Sequence, residues 1–264
     1  GLARDPQPWQ LQSGFQTSRR CWQGLKKRIK QFFLTLGLYV FLYPVGVDAQ
    51  PLRFEDGIIA SERGDFKTAF DIWSALGEKG DVRAQYNLGV MYSKGEGVER
   101  DDLKSYDWHL RAARKNFALS QYVLAIIYQQ GLGVKADIQK SVKWMRLAAK
   151  QNFAPAQYNL GYMHFTGEGV QKSARKTLDW WSMAAAQGYA KAQSGLGMLY
   201  FTGDGGLAQD YVYAYMWWYV AASNGSQNAK KNLELLAPKM DISDVTTAEE
   251  RGQRCIYHKK YIDC

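Results

Sequence analysis

The sequence is poor in cysteine and histidine, the residues on which much nucleophilic and metal chemistry depends. Its 264 residues include three of each, and neither the GxSxG motif of hydrolases nor the HExxH motif of zinc proteases occurs. Adjacent carboxylates such as Asp101 and Asp102 stand at a predicted helix start, where the helix dipole accounts for them. We therefore expect no enzymatic activity, no metal site and no cofactor.

Long apolar runs are also scarce, and the one that occurs lies near the start of the chain. Residues 32–47 are apolar apart from an interruption at Pro44, follow a basic cluster at 26–30, and precede the small residue Ala49. This order predicts a secretory signal peptide over residues 25–49 and hence export to the periplasm or cell envelope. The alternative is an uncleaved membrane anchor, although the run is shorter than the roughly 20 residues of a spanning helix.

Acidic residues are fewer than basic ones, but the excess of positive charge is unevenly spread. The formal net charge is +9, of which +5 belongs to residues 1–49. Residues 1–24 are polar and without a pattern, and we interpret them as an unstructured or non-native extension. In the remainder the signs alternate along predicted helices, which is typical of a solvated surface, so we expect no nucleic-acid partner.

What the sequence does contain is a repeat of 36 residues. Gln85, Gln121, Gln157 and Gln193 mark its period, and the four copies span residues 82–117, 118–153, 154–189 and 190–225. A period of this length predicts an all-α solenoid of helix-turn-helix units. Residues 50–81 are a degenerate first helix pair, with helices around 54–62 and 66–76, and residues 226–264 supply capping helices and a cysteine loop.

Each copy follows one plan. The first helix carries apolar residues at i, i+3 and i+4 and a small residue such as Gly89, which predicts a close approach of two helices. A Gly-x-Gly turn follows, which we expect to end the helix rather than to bind phosphate. The second helix carries a tryptophan, which is followed four and five residues later by two small residues. The four tryptophans are Trp108, Trp144, Trp180 and Trp217.

Two further predictions follow from this plan. Trp73 is expected to occupy the position that Trp108 holds in the next unit. His109, directly after that tryptophan, is expected on an exposed face, whereas His164 takes the tyrosine position of a first helix and is expected in the core.

The pattern A-x-AQYNLGxMY-x-x-GxGV…W-x-x-x-AA resembles the Sel-one-like repeat, a relative of the tetratricopeptide repeat. It covers residues 82–225 closely and 54–81 loosely. The resemblance implies a right-handed α/α solenoid that works as a scaffold for other proteins, often exported to the bacterial envelope. A cysteine-rich branch linked to β-lactam hydrolysis has a disulfide in each repeat, whereas these four repeats contain no cysteine.

After residue 49 only Cys255 and Cys264 remain, and an even pair in an exported chain predicts a disulfide. Two free thiols are the alternative. With His258 the pair would offer a metal three ligands and no paired CxxC, so we predict no metal there.

By analogy with tetratricopeptide arrays, the concave face is lined by first-helix positions that point away from the tryptophans. The predicted partner-binding residues are Tyr86, Lys94, Tyr122, Gln129, Tyr158, Tyr162, Phe165, Met198 and Phe201. Because Tyr86, Tyr122 and Tyr158 recur in step, they are alternatively packing residues. We expect a protein or peptide partner; a cell-wall glycan on the same rings is the alternative, and self-association through an exposed solenoid edge stays open.

Overall fold

The computed structural model describes residues 52–204 and 207–258, and the regular structure in these residues is helical. The helices are α1 Phe54–Glu62, α2 Phe66–Glu78, α3 Val82–Lys94, α4 Asp102–Arg114, α5 Ala118–Gln130, α6 Ile138–Lys150, α7 Ala154–Thr166, α8 Ala174–Ala185, α9 Ala190–Thr202, α10 Tyr211–Ser223, α11 Gln227–Leu236 and α12 Ile242–His258. From α1 to α11, each helix packs against the next one in the sequence. This arrangement confirms the predicted all-α solenoid.

The predicted extension at 1–24 and the predicted signal peptide at 25–49 lie outside the described residues, as does Cys264. None of the helices that the structure describes is both long and apolar enough to cross a membrane.

The ends of the helices follow from single residues. Each first helix of the four repeats ends at a glycine whose φ lies between 68° and 85°, the left-handed conformation that glycine adopts without steric cost. Each second helix begins after a side chain that accepts a hydrogen bond from the backbone N–H three residues later. These capping residues are Asp101, Asp137, Ser173 and Asp210.

Within a pair, a large residue of the second helix lies directly against a glycine of the first. A Cβ atom on any of these glycines would overlap the indole ring. The indole Nε1 also donates a hydrogen bond of 3.0–3.3 Å to a carbonyl three residues before the glycine. The pairs are Gly57 with Trp73, Gly161 with Trp181, and Gly197 with Trp218.

His109 belongs to the same set, and this corrects two predictions. The residue was expected to be exposed, but its side chain is 1% exposed and its ring lies against Gly89. Counting 36 residues from Trp73 leads to His109 and not to Trp108, so the predicted equivalence was wrong by one position. Met145 occupies this position in the next repeat, in one core cluster with Ala125.

The recurring glutamines join one repeat to the next. The side-chain Nε2 of each glutamine donates a hydrogen bond of 2.9–3.2 Å to a carbonyl in the second helix of the preceding unit. The pairs are Gln85 with Gly77, Gln121 with Ala113, Gln157 with Ala149, and Gln193 with Ala185. All four glutamines are buried, so water does not compete for these hydrogen bonds. Each bond therefore stabilises the contact between one repeat and the unit before it.

The last helix packs mainly on α10 and not on α11, the helix that precedes it in the chain. Met216 and Val220 of α10 are buried, whereas Asp179 and Met183 at the equivalent positions of α8 are exposed. Helix α12 therefore covers the second-helix side of the last repeat.

Candidate partner-binding surface

The predicted partner-binding residues follow one side of the first helices, called here the first-helix face. They were expected to point away from the tryptophans, but Tyr158, Phe165 and Phe201 pack against Trp181 or Trp218 of the second helices. In α7 this face consists of Tyr158, Tyr162 and Phe165, and the same positions recur in the other repeats. Side chains of neighbouring first helices touch along this face: the Asn159 amide donates a hydrogen bond of 2.9 Å to the hydroxyl of Tyr122 in the helix before it.

One position on this face is apolar in every first helix, and we call this set the apolar column. Its members are Ile58, Val90, Ile126, Tyr162, Met198 and Leu235. The first three are partly buried, whereas Tyr162, Met198 and Leu235 are 45%, 36% and 69% exposed. Large apolar side chains exposed in a line, rather than singly, mark an interaction surface.

Aromatic side chains enlarge this surface in the third and fourth repeats. The ring centroid of Phe165 lies 5.7 Å from that of Trp181, and the centroid of Phe201 lies 5.5 Å from that of Trp218. Tyr162 lies 6.4 Å from Phe165. Each phenylalanine packs against a tryptophan, and the four predicted residues Tyr162, Phe165, Met198 and Phe201 lie at equivalent positions of α7 and α9.

The three recurring tyrosines have packing partners. Tyr86 is buried between His109 and Phe117, with ring centroids 5.4 and 5.8 Å away. Tyr158 stacks on Trp181 at 5.7 Å, and both tyrosines are partners in the core between helices. These contacts favour the packing interpretation for Tyr86 and Tyr158.

The second recurring tyrosine, Tyr122, lies 5.4 Å from Phe153, centroid to centroid, and is half-buried. Burial raises the pKa of Tyr86 to about 12 and also raises the pKa of Tyr158, in keeping with rings that pack between helices.

The two polar residues predicted for the surface lie near the turns that follow the first helices. The Lys94 Nζ lies 3.5 Å from a carboxylate oxygen of Glu96, and the Gln129 amide donates a hydrogen bond of 2.8 Å to Glu168. Both are exposed. The amino-terminal half of the first-helix face is therefore polar at its edge, while the carboxyl-terminal half is aromatic.

Leu235 was not among the predicted surface residues. It lies 37 residues after Met198, and α11 likewise begins 37 residues after α9, so the spacing alone contained the signal. The fourth repeat is one residue longer than the others, which shifts every later position by one.

Among residues 52–204 and 207–258, no three His, Cys, Asp or Glu side chains come together in a group that could hold a metal ion. Cys255 is buried in α12, and its predicted partner Cys264 lies outside the described residues, so the disulfide stays a prediction.

Comparison with known proteins agrees with this architecture. The family model of the Sel1 repeat matches residues 82–117, 118–153, 154–189 and 190–226, which is more than half of the chain. A Sel1 repeat protein from Oxalobacter formigenes is 28% identical, with a TM-score of 0.68 over 76% of this chain and 84% of that one. No curated protein matches the chain.

A second solved structure is that of c5321, a protective antigen of uropathogenic Escherichia coli with an SLR fold. It is 27% identical, with a TM-score of 0.64 over 79% of this chain and 52% of that one, so this chain spans about half of its length. Sel1 repeat proteins generally mediate protein–protein interactions and are generally non-catalytic. With four consecutive matches to the repeat and two solved relatives of the same fold, the chain belongs to the Sel1 repeat family.

Proposed function

We propose that this chain is a non-enzymatic scaffold of the bacterial envelope that binds a partner protein or peptide on the concave, first-helix face. The observation that carries the proposal is the apolar column, whose members Tyr162, Met198 and Leu235 are exposed; Phe165 and Phe201 follow Tyr162 and Met198 by three residues in α7 and α9. Covering such side chains removes apolar area from water, worth about 25 cal/mol per Å² before the costs of association.

A crosslinking pull-down from envelope extract tests the binding face. The bait is the full chain, compared with a variant carrying Tyr162→Ala, Phe165→Ala and Phe201→Ala. The matched control is Met183→Ala, because Met183 is 46% exposed but lies on the second helix α8. We expect a protein that the parent and the control capture and that the triple variant loses, with unchanged helicity by circular dichroism.

If all three baits captured the same proteins, the first-helix face would not be the binding site. Recovery of cell-wall glycan in place of protein would favour the glycan alternative.

Export is the part of the proposal that rests on sequence. The signal-peptide pattern at 25–49 and the lone cysteine pair Cys255 and Cys264 both support it. Expression in a bacterial host followed by fractionation and amino-terminal sequencing tests it. We expect the protein in the envelope fraction with Gln50 as its first residue; full-length protein in the cytoplasm would contradict export.

A further inference from the structure

We propose that the third repeat binds an anionic oxygen group, such as the carboxylate of an acidic side chain, between Lys176, Arg146 and the ring of His164. These three residues, called here the cation cluster, lie on α8, α6 and α7, and none of them belongs to the first-helix face. The inference therefore goes beyond the proposed function and does not depend on it. It is supported by a comparison with the first two repeats, by the two cations, and by the buried ring between them and the core.

The first two repeats carry a carboxylate at the corresponding position. In the first repeat, the Lys104 Nζ lies 3.4 Å from a carboxylate oxygen of Asp101 and 5.5 Å from the ring centroid of Tyr92. The second repeat has the same arrangement with distances of 3.5 and 5.2 Å, and its members are Lys140, Asp137 and Tyr128. In both repeats the lysine is therefore paired with the aspartate that caps the second helix.

The third repeat keeps this lysine and lacks the carboxylate. Lys176 follows Lys140 by 36 residues, but Ser173 replaces the aspartate and His164 replaces the tyrosine. The Ser173 hydroxyl oxygen still accepts a hydrogen bond of 3.3 Å from the backbone N–H of Lys176, so the helix cap is kept. Lys176 forms no ion pair within the described part of the chain. A carboxylate from another molecule would replace the one that the first two repeats supply themselves.

Arg146 adds a second cation that the equivalent positions of the neighbouring repeats do not have. Those positions hold Leu110 in the first repeat and Ser182 in the third. Arg146 and Lys176 are both exposed, and Arg146 likewise has no ion-pair partner among the described residues. Because α6 and α8 both pack against α7, the two cations reach His164 from different helices.

The His164 ring is the third group of the cation cluster. Its Nδ1 lies 3.1 Å from the backbone carbonyl oxygen of Gln171, and because this oxygen can only accept, Nδ1 carries the hydrogen. The other nitrogen, Nε2, has no hydrogen-bond partner in the residues that the structure describes, although the side chain is only 4% exposed. Protonation of the ring would make Nε2 a donor to a bound anion.

The surroundings of the ring disfavour its protonation as long as no anion is bound. Burial lowers the pKa of His164 from its ordinary value of 6.5, and the positive charges of Lys176 and Arg146 lower it further, against the hydrogen bond to Gln171. Both cations are thus close enough to act on the ring. A bound anion would raise the pKa of His164, because it would compensate the two cations and accept a hydrogen bond from the protonated Nε2.

Fluorescence anisotropy with the full chain and a labelled peptide of about six glutamates, at low ionic strength, tests the site. We expect this peptide to bind and the corresponding glutamine peptide not to bind. Ser173→Asp restores the aspartate of the first two repeats, so it should keep the fold, occupy the cation cluster and weaken binding at least about fivefold. Lys176→Ala should weaken binding to a similar extent. The matched control is Lys143→Ala, which should leave binding unchanged, because Lys143 is an exposed lysine of α6 that also has no ion-pair partner among the described residues.

The pH dependence of binding separates the role of His164 from simple charge attraction. Because protonation of the ring adds a donor and a positive charge, binding should tighten as the pH falls from about 7.5 to about 5.5, where glutamate is still mostly ionised. His164→Tyr copies the first two repeats and should remove this dependence. In an NMR titration of the parent, the peptide should raise the pKa of His164.

An absence of binding, or undiminished binding to the Ser173→Asp variant, would overturn the inference. Equal weakening by Lys143→Ala and Lys176→Ala would also overturn it, because the peptide would then follow the overall positive charge of these helices. If acetate or inorganic phosphate displaced the peptide at an equal concentration of anionic groups, the cation cluster would remain the site and its ligand would be a small anion. The variant with Tyr162→Ala, Phe165→Ala and Phe201→Ala should bind the peptide as the parent does; a loss of binding there would place the peptide on the first-helix face and reject the cation cluster.

Discussion

At the scale of single residues, His109 links the stability of the first full repeat to pH. Its Nδ1 lies 3.4 Å from the Ser120 hydroxyl, and the Tyr86 ring packs against it at 5.4 Å. Burial lowers the pKa of His109 to about 3, from an ordinary value of 6.5. The folded chain therefore keeps the ring neutral under conditions in which the unfolded chain protonates it.

The lowered pKa of His109 determines whether the free energy of unfolding rises or falls with pH. The free energy of unfolding should be highest above pH 6.5 and should fall as the pH drops from 6.5 towards 3, because only the unfolded state takes up the proton. The slope contributed by His109 is at most about 1.4 kcal/mol per pH unit. His109→Met, which copies Met145 of the next repeat, should flatten the dependence in urea unfolding measured at pH 7.5 and pH 5.

Burial also lowers the pKa of His164, which acts in the same direction, but this residue is present in both proteins. The difference between the two slopes therefore isolates His109. Identical slopes for the parent and the His109→Met variant would refute the assignment.

Ser141 offers a second residue-scale prediction. Its hydroxyl is buried and has no hydrogen-bond partner within the described residues, whereas Ala69 and Ala214 hold the equivalent positions in other units. Ser141→Ala should therefore leave the free energy of unfolding unchanged or raise it by up to about 1 kcal/mol. The matched control is Thr177→Ala at the same position of the third repeat.

The Thr177 hydroxyl donates to the carbonyl of Ser173 at 3.0 Å and also lies 3.2 Å from that of Gly161. Removing it should cost about 1 kcal/mol or more. Chemical denaturation of both variants makes the comparison, and an equal loss in each would show that Ser141 is satisfied in solution.

Single residues also show which features could not be predicted from the sequence. Recurrence at 36 residues cannot separate a tyrosine that packs from one that binds, so Tyr86 was predicted for the partner surface although it is buried. Exposure did follow sequence variation: Tyr162 and Met198 differ between repeats, and both are exposed. The error at His109 arose because tandem tryptophans at 180–181 and 217–218 hide which of two adjacent positions faces the glycine.

At the scale of helices, the glutamines form a ladder that is incomplete in one repeat. The carbonyl oxygens of the Gln121, Gln157 and Gln193 side chains each accept a hydrogen bond of 2.7–2.9 Å from an amide about 30 residues later. The donors are Gln151, Gln187 and Asn224. In the first repeat the donor position holds Lys115, which bonds the Gly80 carbonyl instead, and the Gln85 Oε1 is buried without a partner among the described residues.

Lys115→Gln should complete the ladder. The new amide would satisfy Gln85 at the cost of an exposed lysine contact, so we expect the free energy of unfolding to rise by about 1 kcal/mol. The reciprocal variant Gln151→Lys removes the donor from Gln121 and should lower it by about 1–2 kcal/mol. Denaturant unfolding of both measures the pair; the same sign for both would show that the ladder does not govern these positions.

The helices themselves were largely predictable, for a physical reason. A glycine that ends a helix and an Asp or Ser that begins the next recur with the period. Gly64 and Asp65 play the same parts in the first pair, so α1 was predicted over the residues that it occupies and α2 to within two residues. The packing of α12 did not follow from the repeat, because no repeat places a helix on that side. The composition of α10 indicated this packing instead: α10 is apolar on all sides, so a further element is expected to cover its outer side.

At the scale of the whole molecule, α12 covers the outer side of α10, a side on which the other repeats carry no helix. Gly252 fits so closely against the ring of Tyr219 that a Cβ would lie 2.8 Å from it, and the Tyr215 hydroxyl donates a hydrogen bond of 3.2 Å to Glu249. Beneath this helix lie Met216 and Val220, where the first repeat carries the exposed, charged Asp107 and Arg111. Solenoids need such polar caps to stay soluble.

Removal of residues 242–264 should therefore expose an apolar strip on α10 and cause the chain to self-associate, because an uncovered second-helix face would pair with its copy. Light scattering coupled to size-exclusion chromatography would detect this as larger species than the parent forms. Adding Met216→Asp and Val220→Arg to the shortened chain gives α10 the residues of the first repeat, and should restore the parent's size distribution. If the shortened chain kept the parent's size distribution without these two changes, α12 would not be the cap. Some other contact would then have to cover the apolar side chains of α10.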